Sequence, residues 1–197
     1  MMLNAEDRGK RNFIMVQVPE KTDEKSEAYK AGYRNICEIG KERIRRAGKK
    51  IKEESPLTTQ HLDTGFRVLK LADSNMEDVY YAPQDLSQAN LFNQVDNVKD
   101  GRTSEDLLFQ VMLELGVPLD SKITVQQLDG KSVYNVADGF LIACFDTGVT
   151  DSVITAIAKQ QPQYATLRDS SYADDSTATN FEQIFKTYSP NTTIKTL

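Results

Sequence analysis

Asp169, Asp174 and Asp175 crowd around Ser170-Ser171, a set of oxygen donors of the kind that can hold a cation. The same residue types are turn formers and helix caps, and here they stand just before a helical pattern, which is the simpler reading. A second group is Lys41, Arg43, Arg45, Arg46, Lys49, Lys50 and Lys52, packed into a few helical turns. Such a stripe can neutralise a phosphate backbone, with an affinity that falls as salt rises. Equally, cations near a helix C-terminus complement its dipole and keep an outer face wet, and Glu38, Glu42, Glu53 and Glu54 dilute the patch. The third group is Gln17 and Glu20, at the end of an apolar run. In nucleotide-binding α/β sheets, ligands sit beyond the carboxyl ends of strands, where such a side chain can accept hydrogen bonds from ribose hydroxyls.

The rest of the catalytic inventory is sparse. There is no Gly-rich phosphate loop, and His61, the one histidine, sits in a polar stretch that suits a surface residue better than a catalytic base. Cys37 and Cys144 are far apart and lack metal-ligand spacing. A formal net charge of -5 gives no global basic field, although a local stripe can still bind DNA. With 39% hydrophobic and 27% charged residues, the composition is that of a globular chain. No apolar run reaches bilayer length and no secretory signal pattern opens the sequence. The reading is a cytoplasmic, reduced protein with no membrane partner.

The elements that must position these groups follow from periodicity. Phe13 to Val18 is a nearly continuous apolar run, the pattern of a strand covered on both faces. Tyr29, Tyr33, Ile36, Cys37, Gly40, Ile44, Ala47 and Ile51 recur mostly at spacings of three and four, predicting one long helix. Residues 65–71 alternate and predict a second strand. Between Asp73 and Arg102 the pattern weakens; the Tyr80-Tyr81 pair is expected to dock on the core, and one short helix is expected between Pro83 and Val98. Thr103 or Ser104 caps a helix whose Leu107, Leu108, Val111, Met112 and Leu115 share a face, ended by Gly116 and Pro118. Strands follow at Ser132 to Val136 and Phe140 to Phe145, joined by a tight Ala137-Asp138-Gly139 turn. Then come a helix over Thr150 to Gln160, a strand over Tyr164 to Arg168, a helix over Asp174 to Tyr188 and a strand over Thr193 to Leu197. That alternation predicts a small α/β module with right-handed crossovers.

Taken together, several stretches resemble the C-terminal part of the modification subunit of type III restriction-modification systems. They are Leu3-Asn4-Ala5-Glu6-Asp7, Arg11 to Glu20, Ser26 to Tyr33, Asn35 to Gly48, Leu62 to Val68, Glu105 to Leu113, Leu167 to Ser171 and Asn180 to Phe185. The resemblance implies a DNA methyltransferase acting on the adenine N6 amine, with S-adenosylmethionine as methyl donor. It implies further that the Asp-Pro-Pro-Tyr motif holding the adenine, the Gly-rich donor loop and the target-recognition domain precede the matched region; neither motif occurs in this sequence. Met1 to Asp7 would then be the tail of the helix after the donor loop, and the abrupt entry into a core strand has its explanation. The family's ribose-binding acid closes a pattern Arg-x-x-Ile-x-x-Glu/Asp, which Arg11 to Gln17 matches with a neutral Gln17 at the acid position. Glu20, three residues on, is the acidic alternative.

The expected fold is therefore α/β: an incomplete methyltransferase-type sheet, with its second and third strands and a long helix, followed by a small C-terminal α/β module. The expected domains are 1–80 for the methyltransferase core part, 81–102 for a connector and 103–197 for an interaction module. Alone, this chain is expected to be inactive and to bind no donor. The module is expected to contact a second modification subunit in a homodimer and the restriction subunit. Arg43, Arg45, Arg46, Lys49 and Lys50 are the candidate DNA contacts, and a stand-alone DNA-binding module working through the Lys41–Lys52 stripe is the alternative.

Overall fold

The computed structural model describes residues 1–77 and 97–197. The short helix expected after Pro83, the Tyr80-Tyr81 pair and most of the connector lie outside the described residues. The chain divides into two compact units, Met1–Leu69 and Lys70–Leu197, with six helices and one five-stranded mixed sheet among the described residues.

The sheet belongs to the second unit. Its strands β1 (Ile123–Leu128), β2 (Lys131–Val136), β3 (Leu141–Cys144), β4 (Tyr164–Leu167) and β5 (Thr193–Thr196) lie side by side in chain order. The first three form an antiparallel meander, whereas β3, β4 and β5 run parallel. The Ala137-Asp138-Gly139 turn is as tight as its residues suggest: all three take positive φ, at 51°, 50° and 99°. Asn135 Oδ1 accepts the Gly139 amide at 2.8 Å, which compensates part of the strain of a left-handed alanine. Asp129 and Gly130, with φ of 48° and 76°, make the other hairpin turn, a two-residue loop of the kind whose twist matches the flanking strands.

Each face of this sheet is covered. The helix Ser104–Glu114 lays Leu107, Leu108, Val111 and Met112 on one face, against Tyr134, Val136, Leu141, Ala143 and Phe145. Its start is a full capping box: Thr103 Oγ1 accepts the Asp106 amide at 3.2 Å and Asp106 Oδ2 accepts the Thr103 amide at 2.8 Å. Helices Asp151–Ala158 and Asp175–Tyr188 cover the opposite face, bringing Val153, Ile154, Ile157, Phe181 and Phe185 onto Val133, Ile142, Cys144, Ala165 and Leu167. Alternation along each strand sends neighbours to opposite layers, so both cores are built from the same short strands.

The first unit has helices α1 (Met2–Asp7), α2 (Glu27–Lys30) and α3 (Ile36–Glu54); the three helices of the second unit continue as α4 (Ser104–Glu114), α5 (Asp151–Ala158) and α6 (Asp175–Tyr188). Three expectations are corrected here. Phe13 to Val18 is not a buried strand: Phe13 is 49% exposed, Ile14 84% and Val16 96%. Hydrophobicity marks such a segment, but a strand also needs a neighbour for its backbone N–H and C=O groups. Among the described residues, the one bridge made in this unit is the isolated Lys21–Asn35 pair. Residues 65–71 form no strand either, and Val68, Leu69 and Leu71 are exposed. The single long helix is two, because Gly32, at φ 95°, closes α2 with a Schellman pair, Gly32 N–H to Tyr29 O and Tyr33 N–H to Ala28 O. Asn35 Oδ1 then caps α3 by accepting the Glu38 amide at 3.0 Å. In this unit only Gly48 and Thr59 are buried. Its apolar residues Met1, Leu3, Phe13, Met15, Ile44, Ala47 and Ile51 line an open depression of about 450 Å³.

Candidate functional site

The sequence-derived site residues all lie in the first unit. Gln17 and Glu20 sit on the exposed extended segment that ends against the start of α3. The Gln17 carbonyl accepts from Cys37 Sγ at 3.6 Å, and the Glu20 carbonyl accepts the Ile36 amide at 3.0 Å. Their backbones are thus fixed by the helix, while their side chains stand in solvent. The Gln17 amide folds back onto the Val18 carbonyl at 3.1 Å, and the Glu20 carboxylate is exposed. Neither residue lines the two depressions described for this chain.

Arg43, Arg45, Arg46, Lys49 and Lys50 share the exposed side of α3, and most are engaged with acids of the same helix. The Arg46 guanidinium donates to Glu42 at 2.8 Å and to Tyr33 Oη at 3.3 Å. Its bond to Glu42, then the Tyr33 and Glu42 charges, raise its pKa. Arg45 lies 3.9 Å from Glu42 and stacks over the Phe66 ring at 5.6 Å. Lys49 pairs with Glu53 at 3.7 Å and Lys50 with Glu54 at 3.6 Å. Such exposed pairs add little stability, roughly 0–1 kcal/mol each. Their consequence is electrostatic: the stripe is a mixed-charge face, with its cations locally compensated.

At the start of the chain, Arg11 clamps the end of α1. Its guanidinium donates to both Asp7 carboxylate oxygens, at 2.8 and 2.6 Å, and its backbone meets the Asn4 side chain. The Arg11 hydrogen bond, helped by the Gly9 amide, holds the Asp7 carboxyl down to about 2. A depressed folded pKa contributes stability above the ordinary value of 3.8, lost as pH falls through about 2. Arg11→Ala is expected to return Asp7 toward that ordinary value, read by NMR titration of the carboxyl carbon; an unchanged midpoint would show that the clamp is not formed in solution.

Elsewhere, the aspartate–serine cluster resolves into local structure. Asp169–Ser171 is a short 3-10 turn, and Asp174 Oδ1 caps α6 by accepting the Thr177 amide at 2.7 Å. No group of three or more metal-ligating side chains is found among the described residues, and no described helix is long and apolar enough to cross a membrane. Sequence reasoning did not find the groove between α6 and β5, about 320 Å³, lined by Phe181, Glu182, Phe185, Lys186, Ile194 and Thr196 among others. Locating it requires knowing which strand is the sheet's edge.

No protein-family model matches the chain. Over 72 residues, 36% of its length, it is 40% identical to the Mod subunit of the type III restriction-modification enzyme StyLTI of Salmonella typhimurium. Over 71 residues it is 39% identical to the Mod subunit of the type III enzyme EcoPI of Escherichia phage P1. The matches cover 11% and 10% of those two proteins. Over about a third of its length, then, this chain is similar to the Mod subunits of type III restriction-modification enzymes, and it spans about a tenth of theirs.

Proposed function

We propose that this chain is the C-terminal portion of a type III restriction-modification adenine-N6 DNA methyltransferase. The observation that carries the reading is the 40% identity over 72 residues to a type III Mod subunit. The bare apolar segment at Phe13 to Val18 agrees with it. Phe13 and Met15 line an open depression with Ile44, Ala47 and Ile51 of α3, yet Met15 at 67% exposed is as bare as Val18 at 69%. An apolar segment left bare in this way suits a surface that other parts of a larger enzyme cover. In this reading residues 1–80 belong to the methyltransferase core. Residues 103–197 form the module that contacts a second modification subunit and the restriction subunit.

Methyl transfer to adenine needs a polar clamp on the extruded base and a bound donor. The sequence holds neither the Asp-Pro-Pro-Tyr clamp nor the Gly-rich donor loop, so the chain by itself is inactive. DNA, S-adenosylmethionine and the restriction subunit are partners of the whole enzyme. Gln17 and Glu20 would face the donor ribose only once a pocket is built around them. Calorimetric titration of this chain with S-adenosylmethionine is expected to give no saturable heat. A clear saturable isotherm would show a complete donor site and overturn the reading.

A further inference from the structure

Among the described residues, no strand pairs with the side of β5 that faces away from β4. The Thr193 amide bonds the Gln163 carbonyl and the Leu197 amide bonds the Leu167 carbonyl, so Thr193, Lys195 and Leu197 face β4. Ile194 and Thr196 therefore aim their N–H and C=O groups away from the sheet, beneath the wall of α6. A groove between an edge strand and a helix is the geometry that accepts an added strand. Natural edges are usually guarded by charge. Here the edge lysine, Lys195, is tied to Glu114 of α4 on the other face of the sheet.

Resting on the subunit-contact reading above, we propose that the occupant is a second copy of this chain, paired antiparallel along β5 about a two-fold axis at Lys195. Three features fit a copy of itself. First, the two outward-facing residues flank Lys195, so the axis sets Ile194 against the partner's Thr196 and Thr196 against the partner's Ile194. Every outward backbone group of both residues is then satisfied. Second, Glu182 and Lys186 stand one turn apart on the groove side of α6, where they pair at 3.3 Å. The axis reverses their order, so Glu182 meets the partner's Lys186 and Lys186 meets the partner's Glu182, an isologous and self-complementary contact. Third, the two copies of Lys195 meet at the axis, each already neutralised by its own Glu114, which removes the penalty of bare like charges across a ladder.

The test is sedimentation equilibrium of the whole chain over a wide concentration range, with far-ultraviolet circular dichroism confirming the fold of each variant. A concentration-dependent dimer is expected. Glu182→Lys sets like charges together and weakens it about tenfold or more. Glu182→Lys combined with Lys186→Glu restores the opposed signs and the affinity. Thr196→Pro removes an outward N–H while sparing the bonds to β4, and is expected to abolish the dimer. A dimer indifferent to these changes, or one that the double exchange fails to rescue, overturns the β5 contact and leaves the subunit-contact reading standing. A strict monomer at every concentration overturns both.

Discussion

Replacing Phe185 by alanine is expected to destabilise the second unit by about 3–5 kcal/mol, the cost of deleting a large core aromatic that its neighbours cannot refill. Phe185 is 1% exposed and packs edge-on against Phe181, with ring centroids 5.3 Å apart and planes at 78°. Both rings lie on the inward side of α6 over Ile142, Ala165 and Leu167. That helix has little else to hold it, because Glu182, Lys186 and most of its other side chains are in solvent. The readout is hydrogen exchange of the Ile142 and Ala143 amides on β3, which reports opening of this unit alone. Protection lowered by less than tenfold would mean that α6 is not anchored by its phenylalanines.

Leu108→Ala tests the other layer, with an expected loss of about 2–5 kcal/mol. Leu108 is 1% exposed and belongs to the cluster of Tyr134, Val136, Leu141 and Phe145 on the α4 face. The sheet separates it from Phe185, and the two residues fall in different clusters. The double variant should therefore lose the sum of the single losses within about 0.5 kcal/mol. A strongly non-additive result would mean that the two cores communicate through the short strands rather than packing independently. Leu108 lies on the α4 face, away from the α6–β5 groove, whereas Phe185 also lines that groove, so its loss is read on the fold and on the groove together.

How much of this was legible in the sequence differs sharply between the two units. In the second unit, local rules agree with one another: Thr103 and Asp106 begin α4, Gly116 takes the φ of 68° that ends it, and Asp174 caps α6. The continuous apolar run at β3 is buried on both faces, as its pattern requires, and β4 is buried from Ala165 to Leu167 although it carries the polar Thr166. The strand that went unread, β1, is an edge strand rich in exposed polar residues: Thr124 and Gln127 stand in solvent. Its signal was Asp129-Gly130, a hairpin dipeptide that points to strands on both sides. The first unit misled for the opposite reason. Phe13 to Val18 has a clear strand pattern and no strand to pair with, and pattern cannot report a missing neighbour. The helix break at Gly32 was also readable, since glycine followed by an Asn cap signals one helix ending and another beginning.

The site was legible to a smaller degree. The acids that compensate Arg46, Lys49 and Lys50 stand four positions away along the helix, and that spacing alone predicts the pairing seen in α3. Gln17 and Glu20 stand out through their place after an apolar run and through the family resemblance, and burial gives them no further distinction. The α6–β5 groove depends on strand order, which no local pattern encodes.

Whether this chain is part of a larger adenine methyltransferase, as proposed, is decided by sequencing the DNA immediately upstream of the Met1 codon. A Gly-rich donor loop is expected to be encoded next to Met1, in the same frame or a shifted one, with Asp-Pro-Pro-Tyr encoded before it. Upstream DNA that encodes neither motif in any frame would contradict the proposal.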